Sequence, residues 1–379
     1  MKIAVISNGA LSLINFRGHL MAEMIRRGHE VLAFAPDHDE ISRTTLRAMG
    51  VRPVECEMAR AGTNPLQEMA SILELHRLLR RHQPDLCFSY FIKPVIYGTI
   101  AAWMAKVPRR YGLIEGLGFA FTVAPGQGRQ RRLLQGIIST LARFAMVRLD
   151  RLMFLNPDDL QEFVTRKLIT RDKAALVGAI GVDLNEWSIM PLPRGPVTFI
   201  LVARLLRDKG VVDYIDAARI LRTSHPDARF LLVGGLDDNP AAISHADVQS
   251  WVDEGLIEWP GHVSVEPWLA RAHVFVLPSY REGVPRSTQE AMAMGRPVVT
   301  TDAPGCRETV IDGQNGFMVP PRDPQTLAAA MRRFLVNPDL IARMGTESRR
   351  LAEERFDVNV QNRKILDCMG VTANERRPE

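Results

Sequence analysis

Cysteine is scarce in this chain: four residues in 379, Cys56, Cys87, Cys306 and Cys368, at intervals of 31, 219 and 62. None forms a C-x-x-C pair, so neither a disulfide scaffold nor a cysteine zinc site is expected, and the thiols read as free and mostly buried in a reducing compartment. Long apolar runs are absent too. No stretch approaches the roughly 18 residues a membrane-crossing helix needs. The four-residue apolar run at 3–6 is too short for the core of a secretory signal. A cytoplasmic protein, or one peripheral on the inner face of the plasma membrane, is the expectation. H-E-x-x-H, G-x-S-x-G, P-loop and kinase signatures do not occur, the nine histidines are scattered, and there is no repeat or low-complexity tract.

What is present is an ordinary globular composition, 46% apolar and 24% charged, which excludes a disordered or fibrous chain. A single core stops growing near about 250–300 residues, so this length implies two domains. Apolar runs at 2–7, 30–35, 86–90 and 151–155 alternate with helical patterns at 15–27, 66–81 and 131–147. After a proline-bearing polar stretch at 185–196 the rhythm restarts. Strands are expected at 197–203, 228–233, 274–278 and 297–301, with helices at 211–221, 241–254, 288–294 and 324–335. Such alternation specifies parallel sheets with crossover helices, whose ligands lie at the carboxyl ends of the strands. The fold expected is α/β, two doubly wound Rossmann-like domains: 1–185, and 186–355, with the terminal segment 356–379 packing back on the first.

The motifs follow strands. Ser279-Tyr280-Arg281-Glu282-Gly283-Val284-Pro285-Arg286-Ser287-Thr288-Gln289-Glu290 leaves a strand, turns, and opens a helix. A helix start there aims backbone N–H groups and a positive dipole end at a diphosphate. Two carboxylates eight residues apart beside such a site suit hydroxyls, hence a sugar nucleotide. Arg204 and Lys209, in Ala203-Arg204-Leu205-Leu206-Arg207-Asp208-Lys209-Gly210, supply a fork donor and a point charge at another strand end. Asp37-His38-Asp39 has the D-x-D form of a divalent-metal site, but with Glu40 following and no second ligand cluster it reads as an acidic loop tip.

The stretch from Glu282 to Glu290 resembles the E-x7-E signature of retaining glycosyltransferases of family 4, which have the GT-B fold of two Rossmann-like domains facing a central cleft. Pro304-Gly305-Cys306-Arg307-Glu308 and Gly313-Gln314-Asn315-Gly316 are similar to the same family's second-domain ending. The resemblance implies catalytic roles for Glu282 at the transferred sugar and for Arg204 and Lys209 at the leaving diphosphate. It implies donor binding by Glu290 at the ribose, by Gly283, Val284, Pro285, Arg286 and Ser287 around the helix start, by Gly234 in a glycine loop, and by His262 and Val263 at the base. On the acceptor side it implies Gly9 and Arg17 in the segment after the first strand, Lys93 and Glu115. That segment keeps one glycine where the family has two or three, and no histidine stands at 89–94. The implied reaction is metal-independent, without a cofactor. It moves a hexose or N-acetylhexosamine from a nucleoside-diphosphate sugar, UDP-linked, to a saccharide on a polyprenyl diphosphate in polysaccharide synthesis.

Charge is unevenly distributed. Residues 1–150 hold 20 Lys+Arg against 12 Asp+Glu, and 151–379 hold 28 against 31, within a net charge of +5. In 106–151, nine basic residues face two acids ahead of Arg151. Arg129, Arg131, Arg132 and Arg143 accompany Leu133, Leu134, Ile137, Ile138, Leu141 and Phe144 in a pattern that fits either a helix on anionic lipid or one packed on the sheet. A sugar-nucleotide 2-epimerase of the same two-lobed fold is an alternative. A nucleic-acid-binding module is another, though no aromatic-interleaved basic strand supports it, and no nucleic-acid partner is expected.

Overall fold

The computed structural model describes residues 1–58, 65–116, 139–237, 239 and 241–373. In the first part of the chain β1 (Lys2–Ile6), α1 (Ala10–Arg26), β2 (Glu30–Ala35), α2 (Glu40–Ala48), β3 (Arg52–Glu55), α3 (Pro65–His82), β4 (Leu86–Tyr90), α4 (Ile92–Met104), β5 (Arg109–Ile114), β6 (Arg151–Phe154), α5 (Pro157–Thr165) and β7 (Ala174–Leu176) succeed one another. The strands form one parallel sheet in the order β3-β2-β1-β4-β5-β6-β7. All five residues of β4 are buried, as expected where helices cover both faces of a parallel sheet. Ile3 of β1 pairs with Val31 on one side and Leu86 on the other, so the winding reverses between β1 and β4. That reversal opens a crevice at their carboxyl ends.

The second sheet repeats the scheme. β8 (Thr198–Val202), α6 (Val211–Arg222), β9 (Arg229–Val233), α7 (His245–Asp253), α8 (Glu266–Ala270), β10 (Val274–Leu277), α9 (Arg286–Ala293), β11 (Val298–Thr301), β12 (Gly316–Val319), α10 (Pro324–Val336), α11 (Asp339–Arg355) and α12 (Val358–Met369) follow in order. Its strand order is β12-β11-β10-β8-β9, all parallel, and here the winding reverses between β8 and β10. Phe199, Leu201, Val274 and Val276 pack with Tyr214, Met331 and Phe334 from the covering helices in one core.

The chain divides into Met1–Gly178 plus the segment from Gln361 on, and Ala179–Val360. Residues 179–185 belong with the second domain because Val182 bridges to Asp357 and Gln289 Oε1 accepts the Gly181 N–H at 3.1 Å. The proline-bearing stretch lies there as well. The fully buried Arg296 donates to the Met190 carbonyl at 3.0 Å and the Pro191 carbonyl at 3.1 Å, and the His273 ring bonds the Pro193 carbonyl at 3.0 Å. On the first domain the terminal segment is held by Arg27, which donates to the Val371 carbonyl at 2.6 Å, and by Arg109 on the Met369 carbonyl. The strands outside the expected ranges are β3, β5, β7 and β12. β3 and β7 are short edge pieces with exposed residues, Arg52 and Glu55 in β3 and Leu176 in β7. Of the helix expected at 131–147, the described part is helical over 139–146. All four cysteines are free, three of them buried.

Candidate functional site

In the second domain most of the expected donor residues lie on the loops after β8, β9 and β10; His262 and Val263 lie between α7 and α8, and Glu290 in α9. The Lys209 ammonium donates to Glu282 Oε1 at 2.6 Å, with both side chains about 85% covered (16% and 14% exposed). Backbone packing puts them together. Gly210 has φ +71°, and a Cβ there would lie 2.1 Å from the Pro278 carbonyl oxygen, so only glycine lets the turn ending in Lys209 rest on the end of β10. The Asp208 carbonyl then accepts the Tyr280 N–H at 2.9 Å and the Ser279 hydroxyl at 3.1 Å. On its far side the loop is fixed by the Glu282 N–H on the Pro304 carbonyl at 2.9 Å.

α9 begins at Arg286, preceded by Pro285, which supplies no side-chain cap. Helix N–H groups without a cap at a strand-end crevice suit an anion. Two residues in, the buried Thr288 hydroxyl has no hydrogen-bond partner. Glu290 accepts from Arg286 Nε at 2.9 Å. Burial pushes its pKa from 4.5 to about 7; Arg286 opposes the shift and Glu186 adds to it. Gln289, between the two acids and unmarked by sequence reasoning, donates to the Val284 carbonyl at 3.1 Å while accepting from Gly181. Its place inside the motif, on the face opposite solvent, is the only sequence signal for it.

Arg204 stands exposed at the end of β8 and donates to Asp237 Oδ2 at 3.0 Å. The β9 loop that carries Asp237 lies directly on this strand end. Gly234 takes φ +155°, and a Cβ there would be 1.8 Å from the Ala203 carbonyl oxygen. The Leu205 N–H reaches the Gly235 carbonyl at 3.2 Å, and the Trp259 ring N–H donates to the Gly234 carbonyl at 2.9 Å. His262 packs beside Gly235, with Val263 next in the same loop. Close backbone approach at Gly234 and Gly235 thus brings the Arg204 and His262 loops together, with Val263 next to His262 in sequence. Gly210 does the same for Lys209 and Glu282, from which Gly283, Val284, Pro285, Arg286 and Ser287 lead to Glu290 in α9.

The first domain treats its charges differently. Gly9 precedes α1 at φ −171°, an extended conformation open to any residue. In place of further glycines, serines tie this loop: Ser12 Oγ donates to the Gly9 carbonyl at 2.8 Å and lies 2.6 Å from Ser7 Oγ and 2.9 Å from the Tyr90 hydroxyl. Arg17, fully buried, forms an ion pair with the nearly buried Glu115 and sits over the Tyr90 ring at 5.0 Å. Lys93, expected on the acceptor side, donates to Glu68 at 2.7 Å and lies 5.5 Å over the Tyr97 ring. At the end of β4 the strained position is Phe91, a non-glycine residue at φ +67° backed by the Tyr90 ring at 4.9 Å. The D-x-D triplet is spent on helix starts. Asp37 Oδ1 accepts the Ala10 N–H of α1 at 2.6 Å, and Asp39 Oδ1 accepts the Ser42 N–H of α2 at 2.8 Å. Among the described residues, no group of three or more His, Cys, Asp or Glu could hold a metal ion.

Of the basic segment, Arg129, Arg131 and Arg132 lie outside the described residues. Several of the others serve the fold: Arg110 donates to the Arg148 carbonyl at 2.7 Å, and Arg148 to the Phe144 carbonyl at 2.6 Å. Trp103 and Phe144 nonetheless stay about two-fifths exposed, edge to face at 5.7 Å, with the Arg148 guanidinium over both rings and Val147 exposed beside them. Among the described residues no helix is long and apolar enough to cross a membrane.

Comparison with known proteins matches residues 15–179 to the glycosyl transferase 4-like domain and residues 196–337 to the glycosyl transferases group 1 family. The chain is 26% identical to the N,N'-diacetylbacillosaminyl-diphospho-undecaprenol alpha-1,3-N-acetylgalactosaminyltransferase of Campylobacter jejuni, over 97% of each chain. It is also 26% identical to the UDP-Gal:alpha-D-GlcNAc-diphosphoundecaprenol alpha-1,3-galactosyltransferase of Escherichia coli, over 71% of this chain and 70% of that one. Among solved structures, the sucrose-phosphate synthase of Thermosynechococcus elongatus superposes with a TM-score of 0.78 at 18% identity, covering 97% of this chain and 98% of that one. Anabaena HepE in complex with UDP superposes with a TM-score of 0.75 at 18% identity, covering 98% and 100%.

Proposed function

Given that the chain belongs to the glycosyltransferases that join a 4-like domain to a group 1 domain in the GT-B fold, we propose that it is a retaining enzyme. It takes a hexose or N-acetylhexosamine from a UDP-sugar and delivers it to a saccharide on a polyprenyl diphosphate. The observation that carries this reading is the Lys209–Glu282 pair beside the uncapped start of α9. The two relatives named for diphosphoundecaprenol acceptors support the acceptor class, and the second of them, named for UDP-Gal, supports the donor base.

In this reading the donor diphosphate lies against the first turn of α9, with Lys209 and Arg204 as its cations. Glu282 accepts hydrogen bonds from hydroxyls of the transferred sugar, and Glu290 from those of the ribose. The bond between the anomeric carbon and the phosphate oxygen breaks as the acceptor hydroxyl attacks from the same face. The hydroxyl proton passes to the departing phosphate oxygen, and fixed cations stabilise the charge that develops there. No step uses a metal ion, so the rate is expected to be unchanged by EDTA.

The rings of Trp103 and Phe144, flanked by Arg148, support a further part of the reading: peripheral contact with anionic lipid at the inner face of the membrane, where such an acceptor resides. Co-sedimentation with anionic vesicles at low salt tests that part, and its absence removes it. The reaction is tested by incubating UDP-sugars with a polyprenyl-diphosphate-linked saccharide and reading anomeric configuration by NMR. Inversion would overturn the mechanism, and an epimer formed from donor alone would replace transfer with epimerisation.

A further inference from the structure

Every cation that the donor reading uses already carries a carboxylate partner: Lys209 has Glu282, Arg286 has Glu290 and Arg204 has Asp237. The first two carboxylates have hydroxyls to bind in that reading. Asp237 has none, and its pair is the most open of the three, with the Arg204 side chain 66% exposed and that of Asp237 22% exposed, against 23% or less for the others. Asp237 is also held in place independently of Arg204. Its other oxygen, Oδ1, accepts the Asn239 N–H at 2.9 Å, and its loop is registered on the β8 end by Gly234 and Gly235. A guanidinium fork can bind one planar carboxylate or the oxygens of a phosphate along the same edge, so the two anions compete for it.

We propose that Asp237 is the exchangeable counter-ion of Arg204: it holds the guanidinium at the β8 end in the empty enzyme, is displaced by the donor diphosphate, and returns to Arg204 to expel the product diphosphate. This rests on the diphosphate reading of the site and adds to it a residue that sets product affinity and turnover. An exposed pair of this kind contributes little to folding and is screened by salt, so exchange is cheap.

The test compares wild type, Asp237→Asn, Arg204→Gln and the double variant, with UDP and inorganic pyrophosphate as probes by calorimetry and as inhibitors of transfer. Asp237→Asn is expected to tighten UDP and pyrophosphate by about three- to fivefold at low ionic strength, the scale of an exposed charge pair. The gain should shrink in high salt and vanish in the Arg204→Gln background. Donor KM and kcat should fall together, because release slows. A merely structural Asp237 would weaken ligand binding or lower the folded fraction instead. Unchanged or weaker UDP binding by a folded Asp237→Asn protein overturns the exchange. If wild type itself binds neither UDP nor pyrophosphate, the diphosphate reading fails and the exchange with it.

Discussion

The two sheets present the same topological crevice but furnish it in opposite ways. At the β8/β10 reversal the charged side chains form pairs between neighbouring loops, and Arg204 in particular remains open to solvent. At the β1/β4 reversal Arg17 and Glu115 are locked into the fold beside the Tyr90 ring, whereas Lys93 with Glu68 is covered only as far as Lys209 with Glu282 is. Charges left in partly exposed pairs can be redirected to a ligand at small cost, whereas a buried pair is costly to break. Of these cations Arg204 can be redirected at small cost and Arg17 cannot. Near the buried pair, Ser7, Ser12 and the buried Tyr90 hydroxyl form a hydrogen-bonded cluster.

That contrast can be broken experimentally. The largest effect belongs to Glu282→Gln, expected to lower kcat by about 10²–10³ while leaving the unfolding midpoint near wild type, as for loss of a group that acts on the reacting sugar. Steady-state kinetics beside urea unfolding would read both. Arg17→Met should do the reverse. It strands Glu115 in a buried setting and should cost about 3–5 kcal/mol of stability in urea titration. A stable Arg17→Met protein with lost transfer would instead make Arg17 a substrate ligand and erase the difference between the domains.

Glu290 sharpens the comparison through pH. Its carboxyl, raised from 4.5 to about 7 by burial, holds a proton in the folded chain that the unfolded chain releases. Its contribution to stability is thus fully present below the unfolded value of 4.5. It is lost as pH rises through about 7 and is constant above that. Unfolding followed across this window should show the decline in wild type and its disappearance in Glu290→Gln. UDP affinity should rise over the same window as the carboxylate ionises and becomes a better acceptor for ribose hydroxyls. The smallest effect is that of Asp37→Ala, which removes the acceptor for the Ala10 N–H. A loss of about 1 kcal/mol fits a helix cap, with donor kinetics untouched; an EDTA-sensitive wild type whose activity is lost in a folded Asp37→Ala protein would contradict the capping role.

Much of this was legible in the sequence because strand-end motifs in a doubly wound sheet have a fixed address. Apolar runs marked β1, β2, β4, β6, β8, β9, β10 and β11, and the residues just after β8 and β10 are the ones that meet. β3, β5, β7 and β12 were not marked: Arg52–Glu55 and Arg109–Ile114 open on charged residues, Ala174–Leu176 is three residues long, and Gly316–Val319 opens on a glycine at the sheet edge. Asp37-His38-Asp39 shows how one triplet fits two chemistries until neighbouring helix starts claim its oxygens. Lys93 looked equally available until Glu68, 25 residues earlier, was found beside it.

The sequence alone therefore determined the two-domain α/β architecture and the loops on which donor chemistry would sit, since periodicity and strand-end glycines are local properties. The tertiary structure decided which charges have partners. Lys209 with Glu282, Arg204 with Asp237, Arg17 with Glu115 and Lys93 with Glu68 lie 73, 33, 98 and 25 residues apart. Pairing over such separations depends on strand order and on where the backbone can approach closely, as at Gly210 and Gly234, and no local pattern encodes either.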